Sequence, residues 1–178
     1  MSDEEEAQVS EGDDHISLST LDRDAVSKVA KRVQLMDVRL RWLHAALNNK
    51  EEVPDDWRDR AFIFWDTHLS ERHEDGAFTA AAGLNVRMKE GVDPSVADEP
   101  PDYDLDDLPD LELFAEYLLT YSLVDADDVS DRELEHFCYL NATANIWSYW
   151  REIMQSTTTR MGLPPLVLPV LPVPRLDS

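Results

Sequence analysis

The sequence predicts an α+β protein, a four-stranded antiparallel sheet with one long helix packed on a face and a short N-terminal helix before it. Three observations predict it. From Ser130 to Met161 no proline or glycine interrupts a helical pattern. Asp75-Gly76 joins two apolar-alternating runs, the strongest short-range sign of a hairpin. Residues 111–123 alternate again, with Leu111, Leu113, Ala115, Tyr117, Leu119, Tyr121 and Leu123 on one side.

In chain order, residues 1–14 hold seven acids and no base, so residues 1–19 read as a disordered acidic tail. A short amphipathic helix follows from Thr20, with Leu21, Ala25, Val29 and Val33 facing one way. The first strand runs from Leu35 to about Ala46 as a half-buried edge, Met36, Val38, Leu40 and Trp42 alternating with Asp37, Arg39 and Arg41. Asn48–Asp59, with Pro54, is a loop carrying Trp57.

A two-residue turn at Asp75-Gly76 would oppose Glu74 to Ala77 and fix the hairpin register. Leu69 then faces Ala82, Thr67 faces Leu84, Trp65 faces Val86 and Ile63 faces Met88, sharing one apolar side with His73, Phe78 and Ala80. The other side pairs Asp66 with Asn85, Phe64 with Arg87 and Phe62 with Lys89. Residues 92–110, with four prolines, eight acids and no base, form a loop without fixed structure. The fourth strand then leads through a turn at Asp125–Val129 into the long helix.

Ser130 and Glu133 make a capping box, acids crowd the first turns, and Gly162 followed by Pro164 ends the helix. Its 31 residues span about 46 Å. No residue from Phe137 to Trp150 carries a formal charge, although a surface helix needs one polar face. Cover from more than the chain's own sheet is therefore expected, from a second subunit or a bound apolar guest. Phe137, Tyr139, Leu140, Ala144 and Trp150 are the candidate oligomer interface. The strap after it, Leu163–Pro174, has five prolines, so it joins neither a helix nor a central strand. It either packs as a C-terminal extension or closes over a groove as a lid.

The bulk composition narrows the function. At 178 residues the chain is one domain, 20–172, with residues 173–178 as a short tail, and 43% hydrophobic residues suffice for a core. The net charge of −22 is concentrated: without the fifteen acids of the two acidic segments, 23 acids face 16 bases. No basic patch suits a nucleic acid. No charge-free run approaches the ~20 residues that span a bilayer, and no basic-then-apolar leader opens the chain. The single Cys138 makes no internal disulfide, which fits a reducing cytoplasm. His44, His68, His73 and His136 lack metal-ligand spacing, and no phosphate loop, nucleophile elbow or redox pair is present. Asp66 and Glu71 read as an exposed acidic face. Neither a catalytic residue, a metal nor a cofactor is expected.

Tyr149-Trp150-Arg151-Glu152 and Arg160-Met161-Gly162-Leu163-Pro164-Pro165-Leu166-Val167-Leu168-Pro169 resemble the end of the main helix and the Leu-Pro segment of SecB-type export chaperones. Ala30-Lys31-Arg32-Val33-Gln34-Leu35-Met36-Asp37-Val38-Arg39-Leu40 is more similar to the SecB-like chaperones of toxin–antitoxin systems. Ser148 stands where the family has a proline, and the chain ends at Ser178 without the second C-terminal helix of the export chaperones. The resemblance implies a homotetramer, a dimer of dimers with the long helices between two sheets. It also implies a cytoplasmic, ATP-independent holdase for unfolded or extended clients, serving a SecA-type translocase motor or an antitoxin. A dedicated single-partner adaptor is the second expectation, and an enzyme or small-ligand carrier the third. A holdase needs reachable apolar and aromatic area, and the candidates are Leu40, Trp42, Trp57, Phe62, Phe64, Trp147, Leu166 and Leu168.

Overall fold

A computed structural model describes residues 20–49, 53–92 and 108–171, together with Ile16 and Pro94. The tail before residue 20 apart from Ile16, most of the 92–110 loop and residues 172–178 lie outside the described residues. The elements are α1 (Arg23–Ala30), β1 (Val33–Leu47), β2 (Phe62–Arg72), β3 (Phe78–Met88), β4 (Leu111–Leu123), α2 (Asp131–Phe137) and α3 (Thr143–Arg160). The four strands form one antiparallel sheet in the order β1-β4-β3-β2, so β1 and β2 are its edges.

The helical layer covers one face. β3 and β4 supply most of the core there, with Phe78, Ala80, Ala82, Leu84, Val86 and Met88 against Leu111, Leu113, Ala115, Leu119 and Tyr121, all buried. Phe78 stacks on Tyr121 at 5.0 Å, and Phe137 meets both rings edge-on at 5.9 and 5.3 Å.

The hairpin keeps its faces but not its expected register. His73 N donates to Ala77 O at 2.8 Å, which makes a three-residue loop with Gly76 at φ +84° in place of a two-residue turn. A bulge between Leu69 and Glu71 then slips the pairing once more. Leu69 pairs with Ala80, Trp65 with Leu84, Phe64 with Asn85 and Phe62 with Arg87. Two single-residue slips restore the same sides along most of the strand. Between them the sides are exchanged: His73 bonds Thr79 at 3.0 Å on the outward face, and Arg72 reaches Asp131 of α2 at 2.8 Å.

β1 carries two bulges of its own, between Leu35 and Asp37 and between Leu40 and Trp42. Strict alternation therefore fails at both places. Val38 and Leu40 stand on the helix side as expected, opposite Leu119 and Tyr117, but Trp42 pairs with Glu116 and points the other way.

The long helix is continuous in direction but contains a wide π turn at Cys138–Ala142. That turn frees the Tyr139 carbonyl, which accepts from the Thr143 hydroxyl at 2.8 Å and the Thr67 hydroxyl of β2 at 3.3 Å. Both ends match expectation. Ser130 Oγ accepts from Glu133 N at 3.3 Å, and Glu133 Oε2 accepts from Ser130 N at 2.8 Å. At the other end Leu163 N reaches Thr158 O at 3.0 Å and Gly162 N reaches Thr159 O at 3.1 Å, a Schellman ending with Gly162 at φ +77°.

Candidate peptide-binding surfaces

β1 is fifteen residues long and lies at an edge, so one row of its backbone groups has no sheet partner. Helices contact β2, β3 and β4, leaving the helix side of β1 largely bare. Leu35, Leu40 and Leu43 are exposed on that side, and Trp42 on the outward side, with Met36 at the bulge. Trp42 is 59% and Met36 61% accessible, while Leu40 is 41%. Five large apolar side chains thus stand in water along one strand, more than the scattered exposure normal on a monomer.

Across from this row, the free side of α3 presents Asn145 and Tyr149. Asn145 Nδ2 donates to Tyr121 Oη at 3.0 Å, and the Tyr149 ring lies 5.9 Å from that of Tyr117. Burial pushes the Tyr121 hydroxyl up to about 12, the Asn145 bond working against it. On the outward side of the sheet, Phe64 is half-buried beneath the Arg87 guanidinium, 5.3 Å from its ring centre. Arg87 also reaches buried Glu112 at 3.2 Å, and His44 lies 3.6 Å from the same carboxylate.

The remaining candidates are enclosed. Trp57, Phe62, Trp147, Leu166 and Leu168 are buried by this chain itself and present no free surface. For Trp147, Leu166 and Leu168 the enclosure has a specific cause. The strap turns back along α3, with Leu166 and Leu168 inward and Val167 and Val170 outward. Trp147 Nε1 donates to Pro169 O at 2.9 Å, Leu166 N donates to Thr158 Oγ1 at 3.0 Å, and Arg58 Nη1 approaches Pro165 O at 3.5 Å. Trp65 of β2 closes the other side of Trp147, ring centres 5.3 Å apart and edge-to-face.

The interface candidates divide in the same way. Phe137 and Trp150 are buried in the chain's own core, a correction to their expected place between subunits, while Tyr139 and Leu140 are half-buried and Ala144 is exposed. Part of the second cover inferred for the uncharged helix is therefore intramolecular, from α1 and the strap. Leu35, Met36, Leu43, Trp65 and Tyr149 are exposed apolar residues that were not among the candidate binding or interface residues. The length of the 33–47 run, with apolar residues at both parities, was the signal for the first three.

The outward face also carries a His68–Asp66 pair at 2.9 Å, and that hydrogen bond raises the imidazole above its ordinary range. Among the described residues no group of three or more potential ligands gathers as a metal site, and no helix is long and apolar enough to cross a membrane. Burial pushes the Cys138 thiol up to about 12, with Glu135 adding to it, so it is a protonated core residue.

The fold of this chain is shared by a solved structure. The Mycobacterium tuberculosis Rv1957 SecB-like chaperone, solved in complex with a ChAD peptide from the Rv1956 HigA1 antitoxin, superposes at TM-score 0.61. It is 18% identical, over 85% of this chain and 99% of that one. The fold is SecB-like. A protein of unknown function from Streptococcus agalactiae matches at TM-score 0.37 and 12% identity, over 78% of this chain and 97% of that one. No protein-family model and no curated protein sequence matches the chain. Within the SecB-like fold, the long helix, the four strands and the short N-terminal helix stand as the sequence led us to expect, and no further helix follows α3 among the described residues.

Proposed function

We propose that this chain is a molecular chaperone of the holding type, which keeps unfolded or extended polypeptides from aggregating without catalysis or nucleotide. One observation carries the reading: Leu35, Met36, Leu40, Trp42 and Leu43 line an unpaired edge strand in water. Each apolar side chain that a client buries there contributes about 1.5–3 kcal/mol. A few such contacts, with strand addition along the edge, hold an extended chain without reading its sequence. The negative charge of the chain favours basic, unfolded segments over acidic ones.

A dimer of dimers needs two self-complementary surfaces. The free helix side, with Tyr139, Leu140, Ala144 and Tyr149, is our candidate for one of them. The β1 edge stays open for clients, with Leu40, Trp42 and Phe64 as the client residues. We place the protein in the cytoplasm, with a SecA-type motor or an antitoxin as its downstream partner.

Light scattering tests the holding activity. An unfolded model protein diluted from denaturant should aggregate less with a stoichiometric amount of this protein and no nucleotide; equal scattering with and without it removes the reading. The antitoxin peptide bound by the Rv1957 chaperone favours a second reading, a dedicated adaptor for one such partner. Affinity capture from lysate separates the two: many clients support the holdase, a single one the adaptor.

A further inference from the structure

We propose that the segment before Thr20 seats on the exposed edge of β1 as a tethered competitor of clients, with Ile16 and Leu18 on its apolar row and the acids beside its arginines. This rests on the reading of that edge as a client surface and adds its regulation.

Charge is the first observation. Residues 1–14 hold seven acids and no base, whereas residues 23–47 hold six bases and two acids. The second stretch is thus locally basic in a chain of net charge −22. Within it, Arg39 and Arg41 of β1 keep side chains 71% and 49% accessible, although they bridge Asp37 at 3.3 Å and Glu116 at 3.1 Å. An acidic segment is the complement of such an edge.

Pattern is the second. Ile16 and Leu18 alternate with Ser17 and Ser19, the spacing of an extended chain with one apolar side. Leu35, Leu40 and Leu43 offer a matching row, beside backbone groups that have no sheet partner. Strand addition meets both needs. Ile16 is half-buried, although it belongs to no helix or strand.

Reach is the third. Asp22 caps α1 through Asp24 N and Ala25 N at 2.9 and 3.0 Å, and its own N–H donates to His136 Nδ1 at 3.3 Å. The root of the segment is therefore pinned to α2. From there α1 covers about 12 Å, and only Lys31 and Arg32 separate it from β1. Residues 1–19 extend to about 60 Å, more than the roughly 50 Å of the strand. At so short a tether the segment competes at an effective concentration of about millimolar. Its seating lowers the apparent client affinity by the fraction of time that the edge is free. Salt, which screens the charges, releases it.

The test is the anisotropy of a labelled, uncharged peptide of alternating leucine and serine titrated with the full-length chain. Two variants loosen the segment: I16S/L18S, and one with the seven acids of residues 1–14 changed to their amides. Each should bind the peptide about fivefold more tightly than wild type, as a segment seated for about four-fifths of the time requires. At about 0.5 M NaCl wild type should approach the amide variant, whose own affinity changes less than about twofold. A spin label on Ser17→Cys, with Cys138 buried and out of its way, should broaden the amide signals of residues 35–43. Equal affinity of all three proteins at both salt concentrations, or a label that leaves those signals sharp, overturns the proposal and leaves the client surface standing. Absence of peptide binding by all three removes the client surface itself, and the segment's role as competitor with it.

Discussion

The indole N–H of Trp147 donates to the carbonyl of Pro169 at 2.9 Å, tying the middle of α3 to a strap 22 residues further along the chain. The bond needs Trp147 held in place, which Trp65 does from the β2 edge at 5.3 Å. Trp147→Phe keeps an aromatic ring and removes the donor. We expect a loss of about 1 kcal/mol in urea-melt stability. Limited proteolysis should cut within residues 163–171 sooner, while the sheet stays protected.

Gly162 sits at φ +77° with nothing within 4 Å of an added Cβ. The cost of Gly162→Ala is therefore conformational, about 1 kcal/mol. A urea melt reads it, and an unchanged midpoint would contradict the Schellman ending as the origin of the strap's direction.

Lys28 of α1 lies 2.8 Å from Glu133 at the start of α2. The Lys28 ammonium, with the Ser130 N–H, holds the Glu133 carboxyl down to about 2, below its ordinary 4.5. A lowered folded-state value means that the contribution is complete above pH 4.5 and is lost as pH falls toward 2. Lys28→Met should flatten the stability–pH curve in that interval. Added salt should flatten it in wild type, because the pair is open to solvent.

Cys138 is fully buried, with its thiol pushed up to about 12. Native protein at pH 8 should resist iodoacetamide, and unfolding in urea should expose one reactive thiol. Mass spectrometry counts the adducts, and rapid native labelling would contradict the packing around α2 and the π turn.

Local chemistry made much of the fold legible. Ser130, Glu133 and Gly162 marked the helix ends, and alternation in 111–123 gave the core strand. The misses have physical causes. An Asp-Gly pair fits both a two-residue turn and the end of a three-residue one, and Ala77, Phe78 and Thr79 do not decide between them. Bulges leave no mark in composition, so Trp42 was placed on the face of Leu40. The π turn is met by Thr67, a residue 76 positions from Thr143, whose hydroxyl donates to the freed carbonyl. The surface was harder still. Leu166 and Leu168 stood as client-binding candidates on a strap that either packs or closes as a lid, and nothing local decides between the two. The β1 edge showed only as a half-buried pattern, since exposure depends on where the helices stop.

The most direct measurement is the anisotropy of a labelled, permanently unfolded polypeptide titrated with full-length protein and with Trp42→Ser, their masses in solution recorded alongside. Trp42 is 59% accessible, so its replacement leaves the core untouched. Wild type is expected to bind, and Trp42→Ser to bind about tenfold or more weakly at unchanged mass, as the loss of one buried aromatic requires. No binding by wild type, or equal binding by both, would contradict a client surface at the β1 edge.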